Sequence, residues 1–256
     1  VLPQVRRLLW LPVRRSVTLP GFGEYPSQRG GEGVEFVEVS EAPAGHARRV
    51  NWKATAKHGK LMVNLFSEER SATVLLVLEV PSRRLLGDRT DALVDALVEA
   101  AASIAAYLHR RGHRVSLLVV GGYRDWVKPS FGKSHLLRIL SSLASAHVLP
   151  YKQVVDYEEV AARVAPFLTP LGSLVIIVSS FVDADGWAVS RALRRRGFSV
   201  LHVAVNPFST AGLGRSSERL AQVWLRGLVK RARGVSLWVW MSPRASSGFA
   251  VVRQVA

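Results

Sequence analysis

The stretch TVLLVLEVPSRRLLGDRTDALVDALVEAAASIAAYL, residues 73–108, decides the fold class of this chain. Its first part, TVLLVLEV, is an apolar run of strand length, which is typical of a central parallel strand covered on both faces. A loop and a long segment with helical periodicity follow, and either Asp88 or Thr90 can cap that helix. Glu79, near the end of the strand, stands where many α/β proteins hold a metal ion or a phosphate.

Strands and helices alternate over the rest of the chain. Apolar runs of strand length recur at residues 114–120, 173–181 and 198–205, with helical segments between them. Near the C terminus, VSLWVWM and FAVVRQV flank the turn-rich segment SPRASSG, which predicts a hairpin. This order predicts an α/β fold: a doubly wound, mostly parallel sheet with helices on both faces.

Residues 1–72 have a different character. GFGEYPSQRGGEGVEF is rich in Gly and acidic residues, HARRVNWKATAKHGKLMV is basic, and neither has a long helical period. We therefore expect short strands and ordered loops, with KLMVNLF at 60–66 as a strand. The predicted organisation is an N-terminal extension, 1–72, packed on the sheet of an α/β domain, 73–256.

The composition excludes several classes of protein. The absence of cysteine excludes disulfides, thiolate metal sites and cysteine nucleophiles, and the apolar fraction of 48% is enough for a core. No apolar run reaches the roughly 18 residues of a membrane span, because Asp95 and Glu99 interrupt the longest one. No signal peptide is present, and the start at Val1 without a methionine leads us to expect a soluble fragment of a longer protein.

The charge is strongly basic, with a net value of +16 and a pI of about 11.2. Three partners attract such a chain: nucleic acid, an anionic lipid surface or an acidic protein. The cations are spread along the sequence rather than gathered in one block, which fits equally well with arginine used simply as a solvating residue.

The motifs of common enzymes are missing from the sequence. It contains neither G-x-x-x-x-G-K-[ST] nor G-x-S-x-G, and its seven histidines lack paired zinc-ligand spacing. FGKSH at 131–135 could hold an anion at a helix start, although helix capping is the favoured interpretation. We therefore expect no catalytic residues, no cofactor and no small-molecule substrate.

The segment RRVNWKATAKHGK, 48–60, interleaves one tryptophan with cations. This pattern suits single-stranded nucleic acid, because an aromatic ring stacks on a base while cations follow the phosphates. The candidate residues are Arg48, Arg49, Trp52, Lys53 and Lys57. The favoured alternative is that Trp52 packs this loop onto the sheet and the cations stay solvated.

GGEGVEF followed by RRVNWKATAKHGKLMVNLFSEERSATVLLVLEV resembles the domain of unknown function 58 family. That family has a Gly-Glu-Phe element, an Arg-Ile-Asp-Trp-Lys-x-x-Ala-Arg box, a Glu-Glu-Arg element and then a strand that ends in aspartate. The residues that match or stand in these places are Gly33, Glu35, Phe36, Arg49, Val50, Asn51, Trp52, Lys53, Ala56, Lys57, Glu68, Glu69 and Arg70. The resemblance implies a second half similar to a von Willebrand factor A domain.

Domains of that type usually hold a divalent cation at a metal-ion-dependent adhesion site with the signature Asp-x-Ser-x-Ser. The corresponding places here are Glu79, Pro81 and Arg83. Proline has no hydroxyl to coordinate a hard cation, and arginine brings a positive charge. The remnants that the resemblance implies are Glu79, Ser82, Ser134 and Ser180. We therefore expect no metal, and an Arg83–Glu79 ion pair in its place.

Family members commonly carry two transmembrane helices ahead of this region and are associated with MoxR-type AAA+ ATPases in the maturation of other complexes. The resemblance thus implies a protein-interaction module on the cytoplasmic side, anchored through an N-terminal region outside this chain and beside an anionic membrane surface. The expected partner-binding residues are Arg83, Arg84, Trp126, Lys133, Asp183 and Trp187. Trp126 and Trp187 are either exposed anchors or core residues, and nucleic-acid binding remains the alternative function.

Overall fold

The structure is a computed structural model that divides the chain into two units. It describes residues 2–11, 18–25, 30–31, 35–41, 50–67, 70–81, 87, 90–121, 125–148, 157–182, 185–210, 215–232, 236–241 and 249–254. The larger unit is Val1–Val17 together with Ala72–Ala256, and the smaller unit is Thr18–Ser71. The elements in chain order are β1 (Arg7–Leu8), β2 (Thr18–Tyr25), β3 (Gly30–Gly31), β4 (Glu35–Glu41), α1 (Trp52–His58), β5 (Met62–Ser67), β6 (Arg70–Glu79), α2 (Thr90–Arg110), β7 (Arg114–Val120), β8 (Asp125–Ser130), α3 (Lys133–Ala144), α4 (Tyr157–Leu168), β9 (Leu174–Ser179), α5 (Asp185–Arg195), β10 (Ser199–Val205), α6 (Pro207–Thr210), α7 (Arg215–Arg231), β11 (Ser236–Met241) and β12 (Phe249–Gln254).

The sheet of the larger unit is mostly parallel, as predicted. Its strand order is β1-β12-β11-β10-β9-β6-β7-β8. Five consecutive strands in this order run parallel to one another: β11, β10, β9, β6 and β7. Two strands that flank them run the other way, because β8 is antiparallel to β7 and β12 is antiparallel to β11. The predicted doubly wound α/β class and the hairpin between β11 and β12 are therefore confirmed.

Helices cover both faces of this sheet. On one face, α4, α5 and α7 share a core cluster with the strands, including Ala165, Leu193 and Trp224. On the other face, α2 is the long helix predicted from the opening stretch. Among the described residues, α2 alone has the length and apolar composition of a membrane span, yet most of it is buried within the unit. It is thus a core helix, as the interrupting acids suggested.

The first residues belong to the larger unit, whereas the sequence analysis placed them in the extension. β1 pairs with β12, and Leu8 and Leu11 are buried. The backbone N–H of Arg6 donates to Ser103 Oγ over 2.9 Å, and that of Leu11 donates to Tyr107 Oη over 3.3 Å. These contacts join residues about a hundred positions apart, so no local pattern predicted them.

Two elements were not predicted from the sequence. The basic segment contains a short helix, α1, in which the Asn51 side chain accepts a hydrogen bond from the N–H of Ala54 over 3.0 Å and Gly59 ends the helix at φ 66°. The segment after β7 contains an edge strand, β8, where Pro129 is tolerated because edge strands do not need every N–H. The predicted strand at 60–66 is confirmed as β5.

Candidate functional site

The carboxyl edge, defined as the end of the sheet at Glu79, Val120 and Ser179, places a carboxylate inside the protein. Glu79 is the last residue of the central strand β6 and is buried. The hydroxyl of Ser179 donates a hydrogen bond to Glu79 Oε2 and accepts one from the backbone N–H of Phe181 over 2.8 Å. Ser179 thus connects the Glu79 carboxylate to the loop after β9.

The start of α5 closes this cluster. A Cβ atom added to Gly186 would lie 2.9 Å from Ser179 Oγ, 3.1 Å from Phe181 Cδ1 and 3.2 Å from Glu79 Oε2. All three distances are shorter than ordinary van der Waals contacts of a Cβ atom, so only glycine fits without displacement. Phe181 is fully buried and adopts φ 51°, in the left-handed region. The Glu79 carboxylate is therefore enclosed by close packing.

Ser179, rather than the predicted remnant Ser180, contacts Glu79. The Ser180 hydroxyl is buried and has no hydrogen-bond partner among the described residues, while its carbonyl accepts from Trp224 Nε1 over 2.9 Å. The parallel register pairs Leu78 with Val178, so the next residues on the two strands, Glu79 and Ser179, lie side by side. Successive side chains on a strand point to opposite faces of the sheet, so paired positions on neighbouring strands share a face. This rule, applied to the paired strands, identifies Ser179.

Ser134 and Lys133 lie at the opposite end of the sheet, so their predicted place at the carboxyl edge is wrong. β8 returns antiparallel to β7, with Asp125 opposite Val119 and Ser130 opposite Val115. His135 contacts the Val115 carbonyl over 2.7 Å, which fixes the start of α3 near the beginning of β7. Because Val120 pairs with Glu79, the two ends are about 16 Å apart at 3.3 Å per residue.

The two tryptophans proposed as anchors have different environments. Trp126, at the start of β8 and near the carboxyl edge, is 55% exposed. Trp187 is buried, and its ring centroid lies 4.9 Å from that of Phe181 and 5.4 Å from that of His202. The core interpretation therefore applies to Trp187, and an exposed anchor is available only at Trp126.

Several predicted residues lie outside the described part of the chain. These are Ser82, Arg83, Arg84 and Asp183, together with Arg48 and Arg49 of the basic segment. The Arg83–Glu79 ion pair consequently stays a prediction.

Within the described ranges, the oxygen donors around Glu79 do not fit a resident divalent cation. They comprise one carboxylate, whose Oε2 already accepts from Ser179, and the two described residues that follow, Val80 and Pro81, have no side-chain oxygen. Hard cations require six or more oxygen ligands. In the described ranges, no three His, Asp or Glu side chains converge in a way that could hold a metal.

A buried serine–histidine pair lies beside this cluster. His202 Nδ1 lies 3.1 Å from the Ser236 carbonyl, which can only accept, so Nδ1 carries the proton and Nε2 accepts from Ser190 Oγ over 2.6 Å. Burial lowers the pKa of His202 to about 4. Such a pair resembles an activated nucleophile, but both side chains are sealed in the core. Its role is therefore structural.

Helix α1, in the smaller unit, presents the basic segment to solvent. Trp52 is 73% exposed, and Lys53 and Lys57 are exposed beside it. The favoured expectation of a packed Trp52 is therefore wrong. The physical reason is that α1 is a short surface helix with no buried residue, so it has no packed inner side that could take the ring.

Comparison with known proteins gives a family and three distant structures. Residues 42–209 match the family described as Protein of unknown function DUF58. No curated protein matches the chain. Solved structures similar to it include the conserved hypothetical protein BatB from Bacteroides thetaiotaomicron, at 16% identity and a TM-score of 0.40 over 53% of this chain and 67% of that one. An aerotolerance-related membrane protein from Bacteroides fragilis has 14% identity and a TM-score of 0.34 over 52% and 67%, and the pilus adhesin SpaC from Lactobacillus rhamnosus GG has 8% and 0.34 over 61% and 30%.

Proposed function

We propose that this chain, which belongs to the DUF58 family of proteins of unknown function, is a non-enzymatic protein-interaction module. It docks through the carboxyl edge of its sheet on a MoxR-type AAA+ ATPase. It works on the cytoplasmic side of a membrane, as part of a membrane-anchored protein that assists the maturation of other complexes. The family resemblance supplies the partner and the location, and the carboxyl edge supplies the mode of binding.

The observation that carries this proposal is a closed polar centre next to an exposed aromatic side chain. Glu79 is enclosed by Ser179 and Gly186, so it is not an open position for a cation or a substrate. Trp126 lies near the start of β8, which is two strands away from β6 in the sheet. At 4.8 Å per strand, the two strands are about 10 Å apart. An exposed tryptophan beside a rigid edge is the kind of residue that dominates protein–protein binding energy.

Binding to the ATPase is tested with purified components. The chain is immobilised, and a MoxR-type AAA+ ATPase of the same organism is titrated over it by interferometry in ATP and in ADP. Trp126→Ala should weaken binding at least about 30-fold, since tryptophan hot spots contribute about 2 kcal/mol or more. Trp10→Ala is the matched control because Trp10 is 54% exposed and follows β1, the strand at the other edge of the sheet.

Two results would overturn the proposal. One is no measurable binding of the unmodified chain in either nucleotide state. The other is an equal loss in the Trp10 and Trp126 variants, because a carboxyl-edge interface involves only Trp126.

A second candidate function, single-stranded nucleic-acid binding, is favoured by the exposed ring of Trp52 with Lys53 and Lys57 beside it. The test is fluorescence anisotropy with a labelled oligonucleotide at about 50 mM and about 200 mM salt. Phosphate contacts give a steep salt dependence, and Trp52→Ala should cost about 10-fold or more through lost stacking. Unchanged affinity in Trp52→Ala would exclude this helix as the binding surface.

A further inference from the structure

Helices α5 and α7 carry many exposed cations. Together with the turn after α5, these are Arg191, Arg194, Arg195, Arg196, Arg219, Arg226, Lys230 and Arg231, and the described exposed acid on these two helices is Glu218. An anionic surface would therefore be attracted to this part of the larger unit.

Helix α7 combines these cations with exposed aliphatic side chains. Trp224, Leu228 and Ala232 face inward and are buried in the core cluster. Val223 is 66% exposed on the outer side, and Leu220, three residues before it, is 40% exposed at the margin between the outer side and the buried side. Three exposed cations lie on the same helix, which are Arg219, Arg226 and Lys230.

Helix α5 extends the same surface. Its Val189 and Leu193 join Trp224 in one core cluster, so α5 and α7 cover the same face of the sheet. Arg191 and Arg194 are exposed on the side away from that cluster. We call the exposed residues Arg191, Arg194, Arg219, Leu220, Val223, Arg226 and Lys230 the cationic face.

We propose that the cationic face lies against the anionic phospholipid headgroups of a membrane. This inference rests on the membrane-side location proposed above and names the surface responsible. Cations at the headgroup level are attracted to anionic lipid, and exposed aliphatic side chains gain from shallow insertion at the boundary of the acyl chains. A nucleic-acid phosphate backbone would attract the cations equally well but would leave Leu220 and Val223 without an apolar partner.

Vesicle sedimentation of the purified chain tests the proposal. Vesicles of equal parts phosphatidylcholine and phosphatidylglycerol are compared with pure phosphatidylcholine. The triple variant Arg219→Gln, Arg226→Gln, Lys230→Gln should lose about 100-fold in partition coefficient, at about 1 kcal/mol for each cation near an anionic surface. The control variant Arg110→Gln, Lys128→Gln, Arg138→Gln removes three exposed cations elsewhere and should bind as the unmodified chain does.

A further variant, Leu220→Ser with Val223→Ser, should also weaken vesicle binding while it leaves oligonucleotide binding unchanged. The inference is overturned if the unmodified chain ignores anionic vesicles, if both triple variants lose binding equally, or if the cationic-face variant loses only oligonucleotide binding. These measurements contain no ATPase. If the chain binds the ATPase but not anionic vesicles, this inference alone is refuted. If it binds anionic vesicles but not the ATPase, the proposed partner alone is refuted.

Discussion

Gly186→Ala tests whether the cluster at Glu79 is as closed as its geometry indicates. The new methyl group would lie 2.9 Å from Ser179 Oγ and 3.1 Å from Phe181 Cδ1, and both atoms belong to buried side chains that are held by hydrogen bonding or packing. Extra carbon atoms forced into a packed core cost about 1–3 kcal/mol. Alanine gains at most about 1 kcal/mol over glycine in a helix, and less at the second residue of α5. We expect a net loss of about 1–2 kcal/mol.

The assay is urea unfolding at neutral pH, followed by tryptophan fluorescence. Gly227→Ala is the matched control, because Gly227 lies in α7 and a Cβ there meets nothing within 4 Å. That variant should be more stable than the unmodified chain by up to about 1 kcal/mol. If Gly186→Ala matched Gly227→Ala in stability, the cluster would have room for another atom, and the claim that Glu79 is enclosed would be refuted.

Two further predictions concern the same core. Ser179→Ala removes the hydroxyl donated to Glu79 and the acceptor of the Phe181 N–H, so it should lower the free energy of unfolding by about 1–3 kcal/mol; a loss below a few tenths would mean that this hydroxyl is not needed. Because the pKa of His202 falls from 6.5 in the unfolded chain to about 4 in the folded one, only the unfolded chain binds this proton between these values. Stability from this residue should thus be fully present above pH 6.5 and fall by up to about 3 kcal/mol as the pH drops to 4, and His202→Gln should remove that dependence in pH-resolved urea unfolding.

The strands and helices of the larger unit were predictable because each is long enough to show its own period. The apolar run that ends at Glu79 predicts a buried strand. The amphipathic segments after it predict helices with one buried face. β8 was not predictable in this way, since Pro129 and a single buried residue, Val127, leave no alternation to recognise. Missing this one strand reversed the expected position of Ser134, because an undetected antiparallel return carries the start of the next helix, α3, to the other end of the sheet.

Ser179 could not be identified from the sequence for a different reason. Ser179 and Ser180 both follow the same apolar run, and a family motif aligns by sequence position, whereas contact with Glu79 depends on strand register. β9 pairs with β6 so that Val178 lies beside Leu78. The next residues along the two strands, Ser179 and Glu79, therefore lie side by side on the same face of the sheet. Local sequence therefore predicts the edge at which a site forms, but only the pairing identifies which of two adjacent residues belongs to it.

The two proposed surfaces are compatible because they use different parts of the larger unit. The cationic face is the outer side of a helical layer that covers the strands, whereas the carboxyl edge is where the strands end. A chain that rests on lipid through α5 and α7 would hold its strands roughly along the membrane plane, so the carboxyl edge, at the ends of the strands, would face sideways along that plane. We therefore expect anionic vesicles to leave ATPase binding unchanged. Competition between vesicles and the ATPase would show that the two partners share a surface and would contradict the separation drawn here.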